Sequence, residues 1–248
     1  MMVSGADWAR YRDKLGKISQ KAIDELDKFV ESLGGYSAHE YEVIEYAYAL
    51  ATRYGEAAAE LACMMYDAMA AAEAVTVLPA VPAATATMTE VAQAVVGAND
   101  ISSTLVAPAV GRLVKLAAAD TTLQNAQRDG AQFAWIPASE TCAYCLAIAS
   151  RGWQYVSKDA KGSHAEHIHN NCDCQFAVRF RETTQVAGYN PDKYKKIYYG
   201  ADGRTSTDKI NALRREAYAE DKNRINEMKR ANYAARRAEE SELIENID

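Results

Sequence analysis

"SETCAYCLAIASRGWQY", residues 139–155, sets a Cys-x-x-Cys step, Cys142 and Cys145, ahead of a short apolar run, an arginine, a glycine and two aromatics. Such a step serves a redox pair, half of a metal site, or an ordinary buried turn, and the residues downstream choose among them. His164, His167, His169, Cys172 and Cys174 come next, so four of the five cysteines and three of the four histidines fall within 33 positions.

Zinc takes four ligands in a tetrahedron, and a Cys-x-x-Cys turn lets two sulfurs converge on one ion while backbone N–H groups stabilise the thiolates. Cys142 and Cys145 fit that step. "HIHNNCDC" offers a second pair, His169 and Cys172, in a His-x-x-Cys step, with Cys174 and His167 in reserve. The 23 residues between Cys145 and His169 suffice for a helical turn, a strand and a loop that bring the chain back. Mixed Cys and His ligands make zinc the expected ion. Seven candidate ligands for four positions favour a closed, structural site over a catalytic one, which keeps a position open for water.

Rival chemistries fit less well. A disulfide, Cys142 with Cys145 or Cys172 with Cys174, suits an oxidising compartment, whereas residues 1–17 lack the apolar stretch of a signal peptide and the expected setting is a reducing cytosol. A thioredoxin-like site wants a βαβ context, which is absent from the pattern. Zinc deaminases place His-x-Glu upstream of their cysteine pair; here His164-Ala165-Glu166 lies downstream of Cys145, the wrong order. A zinc-supported nuclease would use one of the surplus histidines to activate water, but no Asp, Asn or second His stands at a spacing that fixes a catalytic metal.

Around this segment the chain reads as mainly helical. Trp8, Tyr11, Leu15, Ile18, Ala22, Leu26, Phe29 and Leu33 recur at three- and four-residue steps and predict an amphipathic helix that stops at Gly34-Gly35. Ser37 and Glu40 read as a capping box for a second, alanine-rich helix to about Ala74, with His39 at its start and Cys63 as a small apolar residue. "AVTVLPAVPAATATMT", residues 74–89, is too short and too broken by Pro79 and Pro82 for a membrane span; it reads as a linker or a crossing segment. Thr87 and Glu90 repeat the capping pattern, and a further helix is expected from about Ile101 to Ala119, tolerating Pro108 near its start. "WQYV" and "CQFAVRF" read as short strands flanking the Cys/His segment, the latter with Phe176, Val178 and Phe180 on one face.

The expected architecture is therefore a helical body over 1–130, a small α+β zinc-knuckle insertion over 131–185, and a turn-rich segment with a long charged C-terminal helix over 186–248. The net charge of −6 argues against a protein that coats nucleic acid with its whole surface. Between Lys193 and Arg237, however, thirteen Lys or Arg face six Asp or Glu, and the last eleven residues hold five acids. That stretch predicts a solvated arm or a partner surface, including weak DNA contact.

"CAYCLAIASRGWQY" followed by "HNNCDC" resembles the signature of phage head morphogenesis proteins, the MuF-like minor capsid family of actinobacteriophage type. The resemblance rests on the Cys-x-x-Cys, on Ser150 to Tyr155 and on His169 to Cys174, and it covers about residues 130 to 180. It implies a non-enzymatic virion component, assembled in the host cytoplasm, lying inside the head near the portal and docking on portal, scaffold or capsid proteins. Asn170 stands where many relatives carry a proline after the histidine, so His167 and His169 both stay open as the ligand. In this picture Arg151 caps the short helix or binds an acidic partner, and Trp153 and Tyr155 either cover the metal or pack as core aromatics. The alternative is a nucleic-acid enzyme, nuclease or deaminase, working through His164 or Glu166.

Overall fold

The computed structural model describes residues 2–3, 5–36, 38–100, 102–137, 142–156 and 174–245, apart from the side chains of 2, 3, 5, 6, 225 and 227–245. The protein is mainly helical with a small antiparallel sheet, and the chain divides into two units. One comprises residues 1–141 and 151–191; the other comprises 142–150 and 192–248. No helix among the described residues is long and apolar enough to cross a membrane.

In the first unit, α1 (Gly5–Ser32), α2 (Glu40–Ala72), α3 (Met88–Asn99) and α4 (Val106–Asp129) pack around Leu26, Val43, Ala47, Leu50, Val91, Val95, Val110 and Leu113. The stripe expected on α1 is buried at Trp8, Tyr11, Leu15, Ala22 and Leu26. Between them Ser19, itself buried, donates its hydroxyl to the Gly111 carbonyl of α4 at 3.0 Å. The two helices approach so closely there that a Cβ on Gly111 would lie 2.6 Å from Ile23 Cδ1. Only glycine fits.

Helix starts follow local chemistry in one case and tertiary packing in the other. Thr87 Oγ1 accepts from the Glu90 N–H at 3.3 Å while the Glu90 carboxylate accepts from the Thr87 N–H at 2.7 Å, the full reciprocal box. The Ser37–Glu40 box does not open α2. His39 is the N-cap, without a side-chain cap bond, because the carbonyl of buried Tyr36 accepts the His39 N–H in a turn that makes Glu40 the first helical residue. Ser37 itself lies outside the described residues.

The proline-containing segment between α2 and α3 is a strap held by side chains. Ala80 N–H donates to Asp67, Val81 N–H to Asn125 Oδ1 at 3.0 Å, and Ala83 N–H to Thr121 Oγ1 at 2.9 Å. The Val81 carbonyl accepts from Asn125 Nδ2 and Gln124 Nε2, and the Leu78 and Pro79 carbonyls accept from Arg128. Arg128 also pairs with Asp129, which in turn accepts the Tyr66 hydroxyl at 2.8 Å. The Arg128 guanidinium, with the Tyr66 hydroxyl, holds the Asp129 carboxyl below the usual range. These contacts explain why α4 runs ten residues past Ala119: Thr121, Gln124, Asn125 and Arg128 look like a polar tail but are the clasps of the strap.

A three-stranded antiparallel sheet, order β3 (Gln154–Tyr155), β2 (Gln132–Ile136), β4 (Gln175–Arg179), completes this layer. Its central strand, β2, was not expected from the sequence, because "QFAWI" is a continuous apolar run without alternation. The flanking strands each pair with β2, Phe133 facing Gln154 on one side and Val178 on the other. β4 is buried without a break from Gln175 to Val178, since α2 and α4 cover it, so the Phe176/Val178 alternation does not mark a solvent face. Where β4 ends, the buried Glu73 carboxylate at the end of α2 accepts the N–H groups of Phe180 and Arg181 at 3.1 and 2.7 Å. A two-residue parallel pair, β1 (Met2–Val3) with β5 (Gln185–Val186), lies at the chain start.

The second unit contains α5 (Ala143–Ala149), most of α6 (Pro191–Gly200) and α7 (Ser206–Glu245). Ala147 of α5 clusters with Tyr198, Ala201 and Leu213, with Ala143, Leu146 and Ile210 packed around them. Lys209 closes the end of α6 by donating to the Ala201 carbonyl at 2.7 Å. α7 opens at Ser206, two residues before the expected Asp208, because Thr205 and Asp208 cap it reciprocally at 3.0 and 3.2 Å.

Candidate metal centre

Cys142 and Cys145 sit where the chain enters α5. Cys142 is the N-cap, with extended backbone at φ −66° and ψ 155°, and its Sγ accepts the Cys145 N–H at 3.3 Å. That N–H···S contact is the bond a Cys-x-x-Cys turn uses to stabilise a thiolate for a metal. Cys142 is exposed and Cys145 is buried, so one sulfur faces solvent while the other is seated in protein. The apolar anchoring of Ala143, Leu146 and Ala147 in the second unit holds the turn in place.

The remaining proposed ligands, His169, Cys172 and the reserve His167, lie outside the described residues, as do His164 and Glu166. Among the described residues no group of three or more His, Cys, Asp or Glu is arranged to hold a metal. Cys174, the other reserve, is buried at the start of β4. It lines a small cavity of about 10 Å³ in the first unit with Tyr11, Leu15, Lys115, Ala119, Thr122, Gln175 and Phe176. Burial there pushes the Tyr11 phenol up from its ordinary value, and Gln175 is tethered to the Arg12 carbonyl at 3.4 Å. Cys63 is a half-buried thiol in α2 whose pKa is raised by burial, which suits an unreactive packing residue.

The stretch behind the cysteines departs from expectation at two residues. Ser150 is the C-cap of α5, donating its hydroxyl to the Ala147 carbonyl at 2.7 Å, and exposed Arg151 makes no capping bond among the described residues. Gly152 then takes φ +73°, a left-handed conformation that reverses the chain and that a side chain would strain. Trp153 packs in the first unit, with the Arg179 guanidinium 4.7 Å over its ring and Tyr189 edge-on at 5.8 Å. Arg179 is aimed by Gln132 at 2.7 Å and by the Glu182 carbonyl at 2.7 Å. Tyr155 is 60% exposed, so it is not a core aromatic. Sequence reasoning missed Glu73, Asn125 and Arg179, whose partners Phe180, Val81 and Gln132, respectively, are remote in the chain and leave no local signal.

A family model described as VG15 protein matches residues 2–201. No curated protein and no solved structure matches the chain.

Proposed function

The chain belongs to the VG15 protein family, a family of phage gene products, and from that premise we propose that this phage protein is a structural component of the virion, non-enzymatic and of the minor capsid type. In this reading it enters the head during assembly in the host cytoplasm, lies inside near the portal, and contacts portal, scaffold or capsid proteins. A structural zinc, held by Cys142, Cys145, His169 and Cys172, ties the turn before α5 to the segment before β4.

The observation that carries the zinc reading is the Cys145 N–H on Cys142 Sγ, the local turn of a metal knuckle with one sulfur exposed and one seated. The donor set fits the ion: three thiols and an imidazole suit tetrahedral Zn²⁺. Cys174 is left out of the set because it belongs to the packing around Tyr11, Lys115 and Gln175. His167 stays in reserve. Bound zinc would supply cross-linking energy, roughly 10–16 kcal/mol in small zinc peptides, and no chemical step.

The test is metal analysis of reduced, chelator-free protein, with and without Cys142→Ser. One zinc per chain that disappears in the variant supports the reading; a stoichiometry near zero refutes it. Mass spectrometry of gradient-purified particles, before and after DNA release, separately tests virion association.

A further inference from the structure

Between Arg215 and Arg236 the basic residues of α7 recur on one side, with Asp208 one heptad before them and Glu240 four residues after. At 3.6 residues per turn, Arg215, Lys222, Lys229 and Arg236 recur every seven residues and fall on one side of Ser206–Glu245, about 10.5 Å apart along the axis. Tyr218 lies on the same side between Arg215 and Lys222, whereas Glu216, Glu220 and Arg224 fall on the other. The row extends over about 32 Å.

The described part of the row is open to solvent. All side chains from Arg214 to Arg224 are exposed, Tyr218 being 71% exposed. Among the described residues no carboxylate lies within ion-pair distance of Arg214, Arg215 or Lys222. Two nearby acids are engaged elsewhere: Asp221 pairs with Arg224 at 2.9 Å, and Asp208, which feels the charge of Arg215, accepts the Thr205 N–H. The apolar residues at the start of α7, Ala212 and Leu213, are already buried, Leu213 against α5 and α6. Exposed cations without an ion-pair partner among the described residues, as at Arg215 and Lys222, do not fit a protein groove, whose centre needs desolvated apolar anchors. They fit a linear polyanion, which meets each cation without a fixed register.

We propose that the Arg215–Lys222–Lys229–Arg236 row binds the phosphate backbone of double-stranded DNA without sequence preference. The choice of duplex DNA among polyanions rests on the reading of the chain as a virion component; the row itself lies beyond residue 201, where the family match ends. The zinc site plays no part in it.

The test is fluorescence anisotropy of the full chain with a labelled duplex of about 24 base pairs, from about 50 to 200 mM salt. Four neutralised phosphates give a slope of log K against log salt near −3.6, so each doubling of salt weakens binding about twelvefold. The variant Arg215→Ser/Lys222→Ser/Lys229→Ser/Arg236→Ser is expected to lose most binding and most of that slope. The charge-matched variant Lys14→Ser/Lys17→Ser/Lys21→Ser/Lys28→Ser, altered at exposed sites on α1, is expected to keep both. Circular dichroism checks that both variants stay helical. The proposal is overturned if the natural chain shows no binding, if the two variants lose it equally, or if poly-L-glutamate binds more tightly than duplex at matched charge. Because zinc content and virion association are read separately, failure here leaves the Proposed function standing and the reverse also holds.

Discussion

Replacing Asn125 with alanine tests whether the strap is held by side chains from α4 and not by its own conformation. Asn125 is 1% exposed and uses its amide three times: it accepts the Val81 N–H at 3.0 Å and donates to the Val81 carbonyl at 2.8 Å and the Thr121 carbonyl at 2.7 Å. A typical net hydrogen bond contributes about 1 kcal/mol, and a buried group left unpartnered costs about 1–3 kcal/mol. Two of these acceptors keep a second donor or a helical partner, since Gln124 still reaches the Val81 carbonyl at 2.6 Å. The N–H of Val81 is left to water, to which its exposed side chain gives access. The loss is therefore set near the low end of the sum, about 2–3 kcal/mol, including the small cavity left by the amide. For a unit of this size that corresponds to a fall in melting temperature of roughly 4–12 °C. The decisive assay is amide hydrogen exchange: Val81 is expected to lose most of its protection while the α3 amides exchange as before. Thr121→Val, which removes the acceptor of the Ala83 N–H, is expected to expose Ala83 in the same way. If Val81 stays protected in Asn125→Ala and stability changes by less than about 0.5 kcal/mol, the strap does not depend on these clasps and the reasoning fails.

Two further perturbations probe the packing and the caps. Gly111→Ala sets a methyl against Ile23 and is expected to destabilise by about 1–3 kcal/mol in urea titration, with Ile23→Ala in the same chain restoring part of the loss; no cost in the single variant would show that α1 and α4 are not in close contact there. Glu90 has its carboxyl held below its ordinary value of 4.5, chiefly by the Thr87 backbone N–H. A depressed folded-state pKa gives stability that is complete above the unfolded value and is lost as pH falls through the folded one. Glu90→Gln should therefore be less stable than the natural chain above about pH 4.5, with the gap closing as pH falls through the folded-state value; a stability gap that does not change with pH would contradict it.

The features legible in the sequence are those whose cause is local. The α1 stripe is buried as its spacing requires, because 3.6-residue periodicity places Trp8, Tyr11, Leu15, Ala22 and Leu26 on one face whatever they meet. Thr87 and Glu90 close a cap, and Cys142 and Cys145 close a turn, because each pair is three residues apart and the backbone alone brings it together. Tertiary structure decided the rest. Thr121 and Asn125 lie past the expected helix end at Ala119, yet they are helical and buried, because the backbone groups they satisfy belong to a strap about forty residues earlier. β2 carries no alternation because neighbours cover both its faces, and Glu73 finds its donors 107 residues further along the chain. A polar side chain records in its type that it needs a partner, but not where that partner is; only the folded backbone supplies the position.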